Sequence, residues 1–170
     1  TGHCVCGDIT TDDGADQVLE QVKAQTDRID ILVNNFGKAT RGTWQSASMD
    51  DWVDVYQINT LSVVRLVQRF TPEMPTGGRI INLGTTGSTR PNTAMPHYYA
   101  SKGALATLTV SLAKEMGPKG ITVNLVSPGL IRTPEVEALY LKRAHEAGWG
   151  ETFEEAEEKI SAAYFPNPLG

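Results

Sequence analysis

Apolar residues along this chain follow two alternating rhythms, short near-continuous runs and longer stretches spaced three and four apart. The runs at residues 3–9 and 31–34 read as short strands, being brief, apolar and bounded by turn-forming residues. Between them residues 16–26 place Val18, Leu19 and Val22 at helical spacing, which predicts an amphipathic helix facing inward through those side chains. Ser48-Met49-Asp50-Asp51 is a capping-box variant with Asp at the third position. It opens a long helix through Trp52, Val55, Ile58, Val63, Leu66 and Phe70. Gly78 punctuates the chain before a strand at residues 79–83, a helix follows from about Pro96 to Met116, and residues 121–126 form a fourth strand. Strands alternating with helices of this length predict an α/β fold, a doubly wound parallel sheet with right-handed crossovers and helices on both faces.

With 170 residues the chain is one domain in size, large enough to bury a core. A net charge of −5 argues against nucleic acid or an anionic membrane as the main partner. No apolar run approaches the roughly 20 residues that span a bilayer, and nothing reads as a signal peptide, so a cytoplasmic protein is expected. Cys4 and Cys6 lie two apart, badly placed to bond to each other, and no His or Cys cluster completes a metal site. Both are expected to be reduced core residues.

Polar residues gather where the expected strands end: Asp8, then Asn34-Asn35-Phe36-Gly37, then Gly84-Thr85-Thr86-Gly87, then Ser127-Pro128-Gly129. Open parallel sheets bind ligands beyond that edge. The helix beginning at Pro96 adds Tyr98 and Lys102, four residues apart and on one face. A phenol is a poor acid-base group at neutral pH, with a reference pKa near 10. A cation within about 4–6 Å lowers that value by roughly 1–3 units, bringing proton exchange with an alcohol or carbonyl within reach.

Several motifs, in order, resemble those of the classical short-chain dehydrogenases/reductases, from Cys4 to about Thr133. Residues 32–37, Leu-Val-Asn-Asn-Phe-Gly, are similar to the family's Asn-Asn-Ala-Gly signature, with Phe36 in place of Ala. Ile58-Asn59-Thr60 resembles its helix Asn motif, and residues 79–85 resemble the strand ending at the catalytic Ser, here Thr85. Tyr98-x-x-x-Lys102 follows at the family's spacing, and residues 127–133 resemble its Pro-Gly motif with a later Thr.

The resemblance implies a Rossmann-type oxidoreductase that moves a hydride between NAD or NADP, which it does not distinguish, and a secondary alcohol or ketone. It makes Tyr98 the acid/base. Lys102 would lower the Tyr98 pKa and bind the nicotinamide ribose. Thr85, with Thr86 as rival, would hold the substrate oxygen, and Asn59 would open its helix and hold a relay water. Asp8 and Ile9 would flank the adenine, although Asp8 also suits a cap before Thr10 and Thr11. Asn35, Phe36 and Gly37 would line the adenosine ribose, while Asn34 ties strands together. Pro128, Gly129, Ile131 and Thr133 would lie against the nicotinamide. Residues 1–133 would form the dinucleotide-binding core and 134–170 a lid of the same domain. That lid reads as two helices around Gly148-Trp149-Gly150, and Tyr140, Trp149, Tyr164 and Phe165 are offered as an apolar wall or as core. Met95 and His97 precede Tyr98, and His97 is read as structural. By resemblance, the Tyr98 helix, with its small residues, and the apolar helix before it pair across a two-fold axis, giving a homodimer or homotetramer. The family's Gly-rich phosphate loop is expected upstream of Thr1. A dinucleotide-binding scaffold without turnover is the alternative, and a nucleotide-sugar epimerase or dehydratase ranks below it.

Overall fold

The computed structural model describes residues 2–129 and 131–164, so Leu130, Phe165 and the rest of the expected lid to residue 170 lie outside the described residues. The chain divides into two compact units, Thr1–Ser127 and Pro128–Gly170. In the first, α1 (Asp12–Lys23) leads to β1 (Ile31–Asn34) and α2 (Met49–Tyr56). A π-helical turn (Gln57–Leu61) joins α2 to α3 (Ser62–Phe70), followed by β2 (Arg79–Leu83), α4 (Pro96–Met116) and β3 (Thr122–Val126). The second unit holds α5 (Pro134–Glu146) and α6 (Phe153–Tyr164).

The three strands are parallel in the order β1-β2-β3, so every connection between neighbours crosses over through helix. Pairing runs from Ile31 opposite Arg79 to Asn34 opposite Asn82, and from Arg79 opposite Thr122 to Leu83 opposite Val126. This register brings the carboxyl ends of all three strands to one edge. On one face Ile80 and Val123 pack with Val63 and Val67 of α3 and with Leu105, Leu112 and Met116 of α4. The opposite face carries Ile31, Val33 and Val126, which are 60%, 53% and 48% exposed. The expected parallel Rossmann-type sheet is present, and the helices of this unit shield one side of it rather than both.

Local chemistry explains where the elements begin. The Ser48 hydroxyl accepts the Asp51 N–H at 3.1 Å and the Asp51 carboxylate accepts the Ser48 N–H at 2.9 Å, a closed capping box in spite of the shorter acid. Helix α1 starts four residues before expectation because Thr11 caps it, accepting the Gly14 N–H at 3.1 Å, with Asp12 and Asp13 in the favourable first turn. Pro96 opens α4 at the position where its missing N–H costs nothing. A buried polar chain stitches sheet to helix. Asn34 Nδ2 donates to Asn82 Oδ1 at 2.8 Å, Asn82 Nδ2 donates to Thr109 Oγ1 at 2.9 Å, and Thr109 donates to the Leu105 carbonyl at 2.7 Å. Asn34 therefore ties strands together, as its position suggested.

The segment 3–9 corrects an expectation, because it forms no strand. Alternation supplies side-chain faces but not a ladder, and the backbone of Cys6 is taken instead by the Gln21 side chain, at 3.2 Å through its N–H and 2.6 Å through its carbonyl. Cys4 and Cys6 are consequently free but exposed, not core.

In the second unit, Ala144, Phe153, Ala156 and Ile160 form a small core with Tyr140 and Trp149 against it. Gly148 and Gly150, at φ +66° and +152°, turn the chain between its two helices. Among the described residues no helix is long and apolar enough to cross a membrane.

Candidate active site

Tyr98 and Lys102 sit on the first turns of α4, facing the loop that leaves β2. The Thr85 hydroxyl faces the Tyr98 phenol closely enough to act on its pKa. Thr85 accepts the Gly87 N–H at 3.2 Å, which anchors it at the strand end, whereas its rival Thr86 points to solvent as an exposed turn residue. Burial pushes the Tyr98 phenol above its ordinary value of 10.0, and the neighbouring Thr85 hydroxyl opposes that rise. This reverses the expected direction. Lys102 does share a face with Tyr98, but its amine reaches past the ring and donates to the Leu83 carbonyl at 2.7 Å. The residue is 4% exposed, and burial holds its amine below the usual lysine range.

Asn59 lies in the π turn and is wholly buried. Its amide pairs with one peptide like a fragment of backbone: Oδ1 accepts the Lys38 N–H at 2.9 Å and Nδ2 donates to the Lys38 carbonyl at 2.9 Å. Nδ2 also donates to Ser101 Oγ at 3.2 Å, and Ser101 in turn donates to the Tyr98 carbonyl at 2.8 Å. Asn59 thus locks the loop after β1 to the Tyr98 turn. Gly37 makes the corner possible, since a Cβ there would stand 2.8 Å from Asn59 Oδ1 and 3.1 Å from Lys102 Nζ. Tyr99 packs its ring edge on Gly87, where a Cβ would collide with it, and no cation lies over its ring among the described residues.

The cofactor candidates do not all converge. Ile9, Asn35 and Phe36 line one cavity of about 140 Å³ with Val33, Val63 and Leu66. Asp8 is absent from that lining. Its Oδ1 accepts the Thr10 N–H at 2.9 Å and hydroxyl at 2.7 Å, and these bonds hold its carboxyl below the usual range. Asp8 thus closes a turn onto Thr10 and is not itself the cap it was expected to suit, a place that Thr11 takes. Pro128, Gly129, Ile131 and Thr133 belong to the second unit. Ile131 is 59% exposed, and the Thr133 hydroxyl caps α5 by accepting the Val136 N–H at 3.3 Å. In the same unit Tyr140 stacks on Tyr164 at 5.2 Å, so these aromatics pair with one another.

His97 is 1% exposed and lies 5.8 Å from the Trp52 ring, with no hydrogen-bond partner on either nitrogen among the described residues. It is packed into the interior, in keeping with a structural role. Sequence reasoning missed Ser101, Lys38 and Leu83. A serine between Tyr98 and Lys102 on a buried face was a readable signal, but Lys38 and Leu83 act through backbone atoms that every residue has.

A family model described as enoyl-(acyl carrier protein) reductase matches residues 1–156. The chain belongs to this short-chain dehydrogenase/reductase family. It is 36% identical over 133 residues to the 3-oxoacyl-(acyl-carrier-protein) reductase of Haemophilus influenzae, covering 77% of this chain and 55% of the relative. The chain thus spans about half the length of the curated relatives it matches. Among solved structures it resembles L-sorbose reductase from Gluconobacter frateurii, complexed with NADPH and L-sorbose. That match has a TM-score of 0.82 and 28% identity over 94% of this chain and 60% of the other. It also resembles a blue fluorescent protein from a metagenomic library in complex with NADPH, with a TM-score of 0.72 and 34% identity over 78% and 58%.

Proposed function

We propose that this chain carries the catalytic residues of an NAD(P)-dependent oxidoreductase that interconverts a secondary alcohol and a ketone, with Tyr98 as general acid/base. The observation that supports it most is the Tyr98 phenol beside Thr85 at the carboxyl edge of the sheet, one turn from the buried Lys102, whose amine is held by the Leu83 carbonyl. Two of the three named relatives are reductases, one of a 3-oxoacyl group and one of L-sorbose.

The residues present fit a dinucleotide. Asp8, Ile9, Asn35, Phe36 and Gly37 would hold its adenosine half, three of them around a ready cavity. Tyr98, Lys102, Pro128, Gly129, Ile131 and Thr133 would hold its nicotinamide half. Lys102 uses one donor on Leu83, and an ammonium has three, so donors remain for a ribose hydroxyl. The bound nicotinamide supplies or accepts the hydride. Tyr98 does the proton work. A phenol raised by burial is protonated at neutral pH, so it donates to a carbonyl oxygen, while the Thr85 hydroxyl fixes that oxygen by a second hydrogen bond. Asn59 keeps the Lys38 loop and the Tyr98 turn at a fixed separation, which holds the Lys102 amine in place. The substrate is a small carbonyl or alcohol compound. The protein pairs with copies of itself through α4, where Val110 is exposed, and through the long helical run of α2 and α3, where Val53 and Tyr56 of α2 are exposed.

The test uses the full-length protein with Tyr98→Phe. Binding of NADPH, read by its fluorescence, is retained, while reduction of a ketone panel falls by roughly 10²–10⁴-fold. Turnover equal to that of the unaltered protein refutes the assignment.

A further inference from the structure

Arg132 stands between Ile131 and Thr133, two residues assigned above to the nicotinamide, and it makes more contacts than any neighbour in that stretch requires. Its Nε donates to Glu137 Oε2 at 2.8 Å, in the first turns of α5. Its Nη2 donates to Glu154 Oε1 at 2.7 Å, at the start of α6. Its guanidinium carbon lies 4.4 Å from the centroid of the Phe153 ring. Phe153 is 4% exposed and belongs to the core that joins the two helices, so the third contact reaches the part of this unit that cannot move alone. One planar side chain therefore binds both helices at once.

We infer that Arg132 is a positioning residue, a clasp that makes the 131–133 segment and the helices α5 and α6 move as one body. It couples occupancy of the nicotinamide site to the order of the helices expected to choose the substrate. This rests on the functional reading above for the site at Ile131 and Thr133. The chemistry of the clasp needs an arginine. A lysine offers a point charge, whereas the guanidinium fork spans two carboxylates and lies flat on an aromatic ring. The partners are specific too: Glu137 sits at the dipole-favoured start of α5 and Glu154 at that of α6, so removing Arg132 leaves two unopposed carboxylates at the same place. Each contact alone is a surface contact of small worth. Their value lies in sharing one group, and coupling of this kind is reciprocal: if cofactor steadies α6, changes at α6 alter cofactor affinity.

The test uses full-length protein with Arg132→Met, which keeps an apolar stem over Phe153, with Glu154→Gln, and with the swap Arg132→Glu plus Glu154→Arg. Amide hydrogen exchange is measured across α5 and α6, with and without NADPH, together with the NADPH dissociation constant. In the unaltered protein NADPH slows exchange at the start of α6. In Arg132→Met that protection is lost while melting temperature and exchange in α4 stay unchanged. Glu154→Gln, which alters a residue away from the nicotinamide segment, weakens NADPH binding by about threefold. The swap recovers protection in part, because the ion pair is remade without the second carboxylate. A merely structural arginine would give uniform faster exchange regardless of NADPH, and that result overturns the clasp. NADPH-induced protection that survives in Arg132→Met overturns it as well. Failure of the unaltered protein to bind NADPH overturns the functional reading and the coupling with it, whereas bound NADPH that leaves exchange in α6 unchanged overturns the coupling alone.

Discussion

The corner at Asn59 and the clasp at Arg132 hold loops by opposite means. Around Asn59 the polar groups are buried, each amide atom has a partner, and Gly37 leaves no room for anything else. Around Arg132 the carboxylates and guanidinium stay in water, with side chains 38–68% exposed. Buried hydrogen bonds are modest when made and expensive when half broken, because the abandoned partner stays desolvated. Exposed ion pairs cost little to lose, so a chain can tune them freely. The sheet edge around Asn59 is therefore built to be fixed and the second unit to be adjusted.

That contrast can be broken most forcefully inside the sheet. Asn82→Ala orphans the Asn34 amide and removes the donor to Thr109, which keeps its bond to Leu105, and an expected loss of roughly 1–3 kcal/mol is read by urea unfolding. An effect under a few tenths would mean the chain of amides is ornamental. Gly37→Ala comes next: its methyl must displace Asn59 or Lys102, costing about 1–3 kcal/mol and also lowering turnover, measured beside the Tyr98→Phe protein. The Arg132 variants should leave the melting temperature unchanged. The smallest effect is in titration. Because burial raises the folded phenol of Tyr98, its favourable share of stability is present below the unfolded value near 10 and is lost as pH climbs through the higher folded value. Ultraviolet difference titration of unliganded protein against Tyr98→Phe should show a phenol ionising above pH 10. A midpoint below 10 would restore Lys102 as the controlling cation.

Much of this was legible beforehand, and the reasons differ by element. Helix α4 announced both ends, with Pro96 at its start and Gly117-Pro118 after Met116, and β2 stood out as an apolar run behind Gly78. The capping box at Ser48 is a local signal and survived an unusual acid. Residues 3–9 misled because a strand is a relation between two chains of peptides, and the pattern of one cannot reveal whether the other is there. Tyr98, Lys102 and Asn59 were nameable from their motifs. The partner that draws the Lys102 amine away was not, since a carbonyl such as that of Leu83 leaves no mark in a sequence.

The π turn before Ser62 has a consequence for how this helix tolerates change. Val55 and Val63, both buried, stand eight positions apart, which an unbroken α-helix would set about 80° out of line. A wider turn absorbs one surplus residue and returns the later half to the earlier half's phase. Shortening residues 57–61 by a single position should then heal the rod, keep Val55 and Val67 on their buried stripe, and delete only the protrusion that carries Asn59.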